Sequence, residues 1–198
     1  METVTIVPMM GLSPISHMGH YIDIGQTCLK YCKDGPVIVG LSLNNAGIFT
    51  PLERERVIDR QWTNRRHIPA LKFLGVKSAG ETVAYAYDEL PSFCSSRLNI
   101  IVGGDREKFG NGLKKSIEEG KIPELNGGKF DEIEVIIPPI DRKNHGLSGT
   151  AMRIAVRDGD YEDFEQHIGP MFLPDERRII FNRIKSAIDD GRLNIKRN

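Results

Sequence analysis

The chain has 198 residues, of which 39% are hydrophobic and 27% charged, and its 27 basic and 27 acidic side chains give a formal net charge of zero. This composition is typical of a single folded domain and excludes a disordered chain, while the charge balance argues against a polyanion carrier. No apolar run approaches the roughly 18 residues of a spanning helix, and the N-terminus lacks a signal-peptide pattern. We therefore expect a cytoplasmic protein that binds neither membranes nor nucleic acid.

The cysteines point to a reducing compartment. Cys28, Cys32 and Cys94 are an odd set without CxxC spacing, so they do not resemble a disulfide framework. Cys28 and Cys32 are four residues apart and share a face if the segment is helical. We expect them to be small apolar core residues rather than half of a metal site.

Runs of β-branched and apolar residues, bounded by Gly, Pro or polar residues, predict buried strands at 3–9, 36–43, 82–87, 98–103 and 133–138. Helical patterns are found at 18–33, from Pro51 onward after the capping residue Thr50, at 68–74 and at 112–119. Beyond Ser148 only helical patterns remain, at 151–157, 161–167 and 175–189, the last with a stripe of Ile179, Ile180, Ile184 and Ile188.

Apolar strands that alternate with helices predict an α/β protein with a doubly wound, five-stranded parallel sheet of the Rossmann-like kind. We place this Rossmann-like domain at residues 1–147. A C-terminal helical segment, 148–198, is expected to pack on the same domain. The basic residues of its last helix lie opposite the apolar stripe, which indicates a solvated face rather than a nucleic-acid patch.

A tight turn follows the first predicted strand and leads directly into a helix, over Gly11-Leu12-Ser13-Pro14-Ile15-Ser16-His17-Met18-Gly19-His20. The N–H groups and dipole at a helix N-terminus attract phosphate, and ligands of α/β sheets bind where the strands end. His17 and His20 lie one helical turn apart, and Gly19 allows a ligand close to the backbone. A metal site at this histidine pair lacks a third ligand at a suitable local spacing.

A second motif opens the helix that follows the fifth predicted strand, with Ser148, Gly149, Thr150 and Arg153. By itself Ser148 or Thr150 is most simply an N-cap. Combined with the fork-shaped guanidinium of Arg153 one turn further on, the same hydroxyls and backbone N–H groups make a second phosphate cradle.

A third motif, Gly103-Gly104-Asp105, ends the fourth predicted strand. The glycines permit close approach of a ligand to the backbone. Asp105 either accepts hydrogen bonds from ribose hydroxyls or an exocyclic amine, or closes a tight turn.

Taken in chain order, these motifs resemble those of the nucleotidylyltransferase superfamily. Residues 11–20 resemble its HxGH signature, 147–153 its ISSTxxR signature and 103–105 its G-x-D element, while 50–56 are similar to its Pro-Leu and Glu-Arg stretch. The resemblance covers roughly residues 3–168.

The chain departs from the family pattern at a few positions. Ser13 and Ile15 stand where Gly-x-Phe-x-Pro-x-His has Phe and Pro, and the proline is at Pro14. Gly149 replaces the second serine of the late signature. These changes bear on substrate identity more than on reaction type.

The resemblance implies transfer of a nucleoside monophosphate from a nucleoside triphosphate to the phosphate of a small acceptor, with release of pyrophosphate. It assigns His17 and His20 to the α- and β-phosphates, and Ser148, Thr150 and Arg153 to the β- and γ-phosphates. Gly104 and Asp105 are expected to face the nucleoside. The full set of nucleotide-binding candidates is Gly11, Leu12, Ser13, Gly19, Gly103, Gly104, Asp105, Ser148, Gly149 and Thr150. Mg²⁺ is expected to bridge the triphosphate, held mostly by phosphate oxygens and water rather than by a protein metal site.

The acceptor site is less well defined. Arg54 or Arg56 binds the acceptor phosphate or belongs to a solvated helix face, and Trp62 stacks on an acceptor ring or packs internally. The first choice is adenylyl transfer from ATP to nicotinamide mononucleotide, making NAD; cytidylyl transfer and pantetheine-phosphate adenylyl transfer stay open. A class I aminoacyl-tRNA synthetase is disfavoured because no KMSKS-like lysine loop is present. A non-catalytic nucleotide sensor and assembly into homo-oligomers also stay open.

Overall fold

The computed structural model describes residues 1–12, 14–43, 47–64, 66–91, 95–139 and 146–195. The strands are β1 (Glu2–Met10), β2 (Val37–Ser42), β3 (Leu71–Val76), β4 (Ser96–Ile101) and β5 (Glu132–Ile136). The helices are α1 (Met18–His20), α2 (Gln26–Tyr31), α3 (Pro51–Thr63), α4 (Ala79–Asp88), α5 (Glu107–Glu118), α6 (Gly149–Asp158), α7 (Tyr161–Ile168) and α8 (Pro174–Asp189). A π-helical stretch, Tyr21–Gly25, lies between α1 and α2.

The five strands form one sheet in the order β3-β2-β1-β4-β5, and every neighbouring pair is parallel. The order reverses direction after β1, as in doubly wound α/β folds. The predicted fold class is therefore confirmed, and the helices predicted for the C-terminal region are present.

The chain divides into two compact units. The first, called here the sheet unit, comprises Met1–Gly11, Asp23–Leu43 and His67–Ile140. The second, the helical unit, comprises Leu12–Ile22, Asn44–Arg66 and Asp141–Asn198. The sheet unit contains all five strands, and the helical unit contains α3 and α6 to α8.

Each unit has its own hydrophobic core. In the sheet unit, apolar residues of α4 and α5 pack on β1, β2 and β4, and the buried members of this core are Val4, Ile6, Ile38, Val83, Ala86, Leu98, Ile100, Val102, Leu113, Ile117, Leu125 and Phe130. In the helical unit, α3 and α6 to α8 bury Ile15, Ile48, Phe49, Val57, Met152, Ala155, Val156, Phe164, Ile168, Phe172, Ile180, Phe181, Ile184, Ala187 and Leu193. Burial of these apolar groups is the main stabilising contribution in both units.

Two of the predicted elements are wrong: one predicted strand is a helix, and one predicted helix contains part of a strand. The predicted number of strands is therefore still five. Residues 82–87, a run of β-branched and apolar residues predicted as a strand, lie in helix α4. The Ser78 hydroxyl accepts a hydrogen bond from the Glu81 N–H and caps the start of this helix. Residues 68–74, predicted as helix, contain the beginning of β3. As an edge strand, β3 is only partly buried and carries a weaker apolar pattern than the central strands.

A local irregularity marks the carboxyl end of β1. The register of β1 against β2 shifts between Val7 and Met10, where Pro8 has no N–H to donate to the ladder. The carbonyl of Pro8 accepts a hydrogen bond from the buried Thr82 hydroxyl at 2.6 Å. The strand end from which the HxGH-like turn departs is thus anchored to α4.

Cys28 belongs to the interior of the sheet unit, as predicted. Its side chain is completely buried, and burial raises the pKa of its thiol, so the group stays protonated and acts as a small apolar residue. Cys32 is half-buried. Cys94 lies outside the described residues.

Two ion pairs join α3 to α8 in the helical unit. Arg60 contacts Glu176 at 2.7 Å, and Arg183 contacts Glu53 at 2.6 Å. The hydrogen bond from Arg183, assisted by bonds from Thr50, lowers the pKa of Glu53 from its ordinary 4.5 to about 2. A carboxyl group whose pKa is lowered in the folded protein stabilises the fold at pH values above its ordinary pKa. This stabilisation is lost as the pH falls through the pKa of the folded state.

We therefore expect Glu53→Gln to lower the free energy of unfolding by about 1 kcal/mol at pH 6, a figure limited by solvent screening because 37% of the side chain is exposed. The difference should shrink as the pH falls from about 4.5 toward about 2. Gln at this position keeps a capping-box partner for Thr50, so the change isolates the charge. Urea unfolding across this pH range measures it. Glu55→Gln on the same helix is the control, and an equal effect of both substitutions contradicts the assignment.

Candidate phosphate-binding site

Two of the glycines predicted to bind the nucleotide lie at the carboxyl edge of the sheet. Gly11 directly follows β1, and Gly103 follows β4 after one residue. Because β1 and β4 are parallel neighbours, both glycines lie at the same edge of the sheet unit. Gly104–Arg106 form a single 3₁₀ turn, closed by a hydrogen bond from the Arg106 N–H to the Gly103 carbonyl. Asp105 is exposed on this turn.

The two histidines of the HxGH-like turn are in direct contact. Their rings are stacked with centroids 3.9 Å apart and planes inclined by 26°. The His17 backbone N–H donates to Nδ1 of His20 at 3.3 Å, and the His20 N–H donates back to the His17 carbonyl at 2.9 Å. Because Nδ1 of His20 accepts a hydrogen bond, the neutral ring carries its proton on Nε2. His20 therefore presents a fixed N–H donor at Nε2.

Gly19 explains why the turn has a glycine between the histidines. A Cβ atom at this position would lie 2.5 Å from the Leu147 carbonyl oxygen and 2.8 Å from Nδ1 of His17. Both distances are too short for real Cβ contacts, so no other residue fits without a shift of the backbone. The contact brings the HxGH-like turn against the first residue of the late motif, within the helical unit.

We expect Gly19→Ala to lower the free energy of unfolding by about 1–3 kcal/mol, because the added methyl group meets a backbone oxygen that cannot move alone. Gly112→Ala is the matched control: it is also a helical glycine, but no atom lies within 4 Å of its added Cβ. That control should be stabilising by about 0.5–1 kcal/mol through reduced freedom of the unfolded chain. Chemical denaturation of the three proteins tests the contrast, and similar effects of both substitutions refute the close approach at Gly19.

Gln61 on α3 holds the turn from a second side. Its Nε2 donates to the Ser16 carbonyl at 3.3 Å and to the Ile168 carbonyl at 3.0 Å, and only 2% of the residue is exposed. On the same side Gly169, with φ of +90°, comes so close to Met18 that a Cβ would lie 2.7 Å from the methionine sulfur. The histidine segment is therefore fixed by α3, by the end of α7 and by the residues before α6.

The late motif begins helix α6 as predicted. The Ser148 hydroxyl accepts a hydrogen bond from the Ala151 N–H at 3.0 Å and is the N-cap of the helix. Arg153 donates to the Thr150 hydroxyl at 3.1 Å. The arginine is half-buried, and burial lowers the pKa of its guanidinium while leaving it protonated at neutral pH. Two hydroxyls and one cation thus surround the first turn of α6.

The remaining predicted residues have different surroundings. Arg54 is 2% exposed, so the interpretation of this residue as part of a solvated helix face is wrong; burial also lowers its pKa. Arg56 is exposed, and Trp62 is 2% exposed inside the helical unit. Their assignment to an acceptor stays a prediction. Leu12 is fully buried, so only its backbone can face a nucleotide.

Gly149 is the first residue of α6 and is half-buried. Ser13 lies outside the described residues.

Sequence reasoning missed Thr82, which donates to the Pro8 carbonyl near the end of β1, and Gln61, which donates to the Ser16 carbonyl just before His17. A buried polar residue on an amphipathic helix gives a weak signal, because its partners are backbone carbonyls far away along the chain. Only the Ser-x-x-Glu capping pattern at 78–81 could have corrected the helix that contains Thr82.

In the ranges that the structure describes, His, Cys, Asp and Glu side chains do not form a group of three or more that could hold a metal ion. The same part of the chain contains no helix long and apolar enough to cross a membrane. Comparison with models of known protein families gives no match, and comparison with curated proteins gives none either.

Proposed function

We propose that this protein is a nucleotidylyltransferase that transfers AMP from ATP to the phosphate of a small acceptor and releases pyrophosphate. One observation carries the proposal: the approach of Gly19 to the Leu147 carbonyl, which joins the HxGH-like turn to the Ser-Gly-Thr-x-x-Arg motif. The two segments are distant in sequence, and each has the chemistry of a phosphate site. Their contact supports one continuous site for a triphosphate in the helical unit.

The reaction needs no covalent enzyme intermediate. A phosphate oxygen of the acceptor attacks the α-phosphorus in line, the bond from that phosphorus to the bridging oxygen breaks, and pyrophosphate leaves with the electron pair. Catalysis then consists of positioning and stabilisation of developing charge. The Nε2–H of His20, oriented by the bond to Nδ1, is suited to donate to the oxygens whose charge increases as pyrophosphate departs.

The late motif, at the start of α6, is proposed to bind the β- and γ-phosphates. Arg153 contributes a forked cation, the Thr150 hydroxyl lies beside it, and the N–H groups at the start of α6 point outward from the helix. Ser148 uses one lone pair as the cap but keeps its O–H as a donor. A cation and several hydrogen-bond donors suit the negatively charged β- and γ-phosphates better than they suit a neutral ligand.

Mg²⁺ fits this arrangement as a companion of the nucleotide. Since the described residues form no acidic metal cluster, the ion would be held by phosphate oxygens and water, with the hydroxyls of Ser148 and Thr150 near the outer phosphates. When bound, it neutralises charge on the triphosphate and polarises the reacting phosphorus. The protein residues bind and orient the same phosphates.

Nicotinamide mononucleotide is the proposed acceptor, with NAD as the product, because the G-x-D and Ser-x-Thr-x-x-Arg elements resemble that branch of the superfamily. Gly104 and Asp105 are assigned to the nucleoside on the same ground. Arg54 and Arg56 both stay candidates for the acceptor phosphate. The side chain of Arg56 is exposed on α3, whereas that of Arg54 is buried.

A screen of pyrophosphate release tests the proposal. ATP and CTP are each combined with nicotinamide mononucleotide, nicotinate mononucleotide, phosphopantetheine and phosphocholine in the presence of Mg²⁺. We expect release with ATP and nicotinamide mononucleotide, and a preference for ATP over CTP of at least about tenfold in kcat/KM, which corresponds to about 1.4 kcal/mol. A CTP preference points to cytidylyl transfer. Nucleotide binding without pyrophosphate release from any pair indicates a sensor and contradicts the proposal.

A further inference from the structure

A slot separates helices α3 and α8 on the surface of the helical unit. Its volume is about 260 Å³, and its walls come from both helices. The ion pairs show that the helices run in opposite directions, since Glu53, near the start of α3, contacts Arg183 late in α8, while Arg60 contacts Glu176 near the start of α8. One pair therefore closes each end of the slot.

Each closing arginine also covers an aromatic ring. The guanidinium carbon of Arg183 lies 4.3 Å from the centroid of Phe49, and that of Arg60 lies 5.2 Å from the centroid of Phe172. Arg183 donates in addition to the Ile48 carbonyl. The charges at both ends are neutralised by their glutamates and held in place by cation–π contacts.

The middle of the slot differs from its ends. The floor and walls are aliphatic, with Ile15, Val57 and Ile180, and the cation that faces this part is Arg56. No hydrogen bond or ion pair joins Arg56 to another residue among those described, and its side chain is exposed. Three arginines and two glutamates line the slot, so its formal charge is +1.

Ile179 completes the rim. Sequence periodicity placed it in the buried stripe of α8, but 59% of the residue is exposed, and Phe181 is buried in its place. A large exposed isoleucine beside an aliphatic floor and the Arg56 cation forms an amphipathic surface with a formal net charge of +1. These properties complement an apolar body that carries one negative group.

We propose that this slot binds a small anion with a flat apolar body, of the class of aromatic carboxylates. The carboxylate would pair with Arg56, and the ring would lie between the aliphatic floor and Ile179. A cavity of roughly 150 Å³ holds benzene, so a slot of this size admits one or two fused rings. The slot residues do not include His17, His20, Ser148 or Arg153, but Arg56 is also a candidate for the acceptor phosphate. The test below measures binding of a probe without nucleotide or acceptor, so its outcome is separate from that of the transfer reaction.

The test uses 2-naphthoate as the probe and 2-naphthalenemethanol as its neutral counterpart. The protein is labelled at isoleucine methyl groups, and each compound is titrated by two-dimensional NMR. Ile15, Ile179 and Ile180 report on the slot, whereas Ile100 and Ile117 in the sheet unit are internal controls. Arg56→Gln removes the cation, and Arg66→Gln, another exposed arginine of the helical unit, is the matched variant.

We expect saturable shifts of the slot methyls with 2-naphthoate, and binding of the alcohol that is weaker by about tenfold, as for loss of one charge-assisted hydrogen bond. Arg56→Gln should weaken naphthoate binding by a similar factor and abolish the discrimination between the two compounds, while Arg66→Gln leaves both unchanged. The proposal is overturned if the slot methyls do not respond to naphthoate, if both compounds bind equally to the wild-type protein, or if the two arginine variants behave alike.

Discussion

Replacement of His20 by alanine is expected to lower kcat for adenylyl transfer by a hundredfold or more, while ATP binding changes much less. The loss is that of one preorganised donor aimed at charge that develops only as pyrophosphate departs. The fold should tolerate the change, because His20 is a half-buried residue at the end of α1 and belongs to neither hydrophobic core. Steady-state kinetics with ATP and the acceptor found in the screen measure the effect.

Two further substitutions separate the functions of the ring nitrogens. Asn can replace the acceptor at Nδ1 and so keep the bond from the His17 N–H, whereas Gln can present a donor near the position of Nε2. If Nε2 is the catalytic donor, His20→Gln should retain more activity than His20→Asn. His67→Ala, which removes an exposed histidine of the sheet unit, is the control and should have normal kcat. Near-normal turnover of His20→Ala would remove the catalytic assignment.

Much of the sheet could be predicted from sequence because its central strands are apolar on both faces. The runs at 3–9, 36–43 and 98–103 contain almost nothing that favours another structure, and each became a strand. The wrong predictions, at 68–74 and 82–87, concern segments that lack the continuous apolar pattern of the central strands. Edge strand β3 is only partly buried, and in α4 the run at 82–87 consists of apolar, β-branched and aromatic residues that are also typical of a strand.

The candidate site could be predicted only in part. Ser148 as a cap and Thr50 as a cap follow from local patterns, because a capping bond spans three residues. The reason for Gly19 could not be read from the sequence, since the carbonyl that excludes a side chain belongs to Leu147. The burial of Arg54 was missed for the same reason: helical spacing alone does not show which elements cover a face.

The burial of Arg153 gives the second large effect. Half-buried and bonded to Thr150, its guanidinium has a fixed orientation, so its two outer N–H groups can bind phosphate oxygens with little loss of side-chain freedom. We expect Arg153→Ala to weaken ATP binding by roughly tenfold to a hundredfold, the range for a hydrogen bond to a charged group. Arg153→Lys keeps the charge without the fork and should fall between. AMP has neither outer phosphate, and its binding should change less than about twofold in both variants.

Two matched changes on the same helix make this result specific. Arg157→Ala removes an exposed arginine of α6 that already pairs with Asp158 at 2.6 Å, so ATP binding should stay normal. Ser148→Ala removes the cap and should lower the free energy of unfolding by about 1 kcal/mol whether or not the helix binds phosphate. Calorimetric titration of ATP and AMP against each protein distinguishes the roles. If Arg153→Ala weakens both nucleotides equally, or neither, the outer phosphates do not bind at the start of α6, and the triphosphate must lie elsewhere.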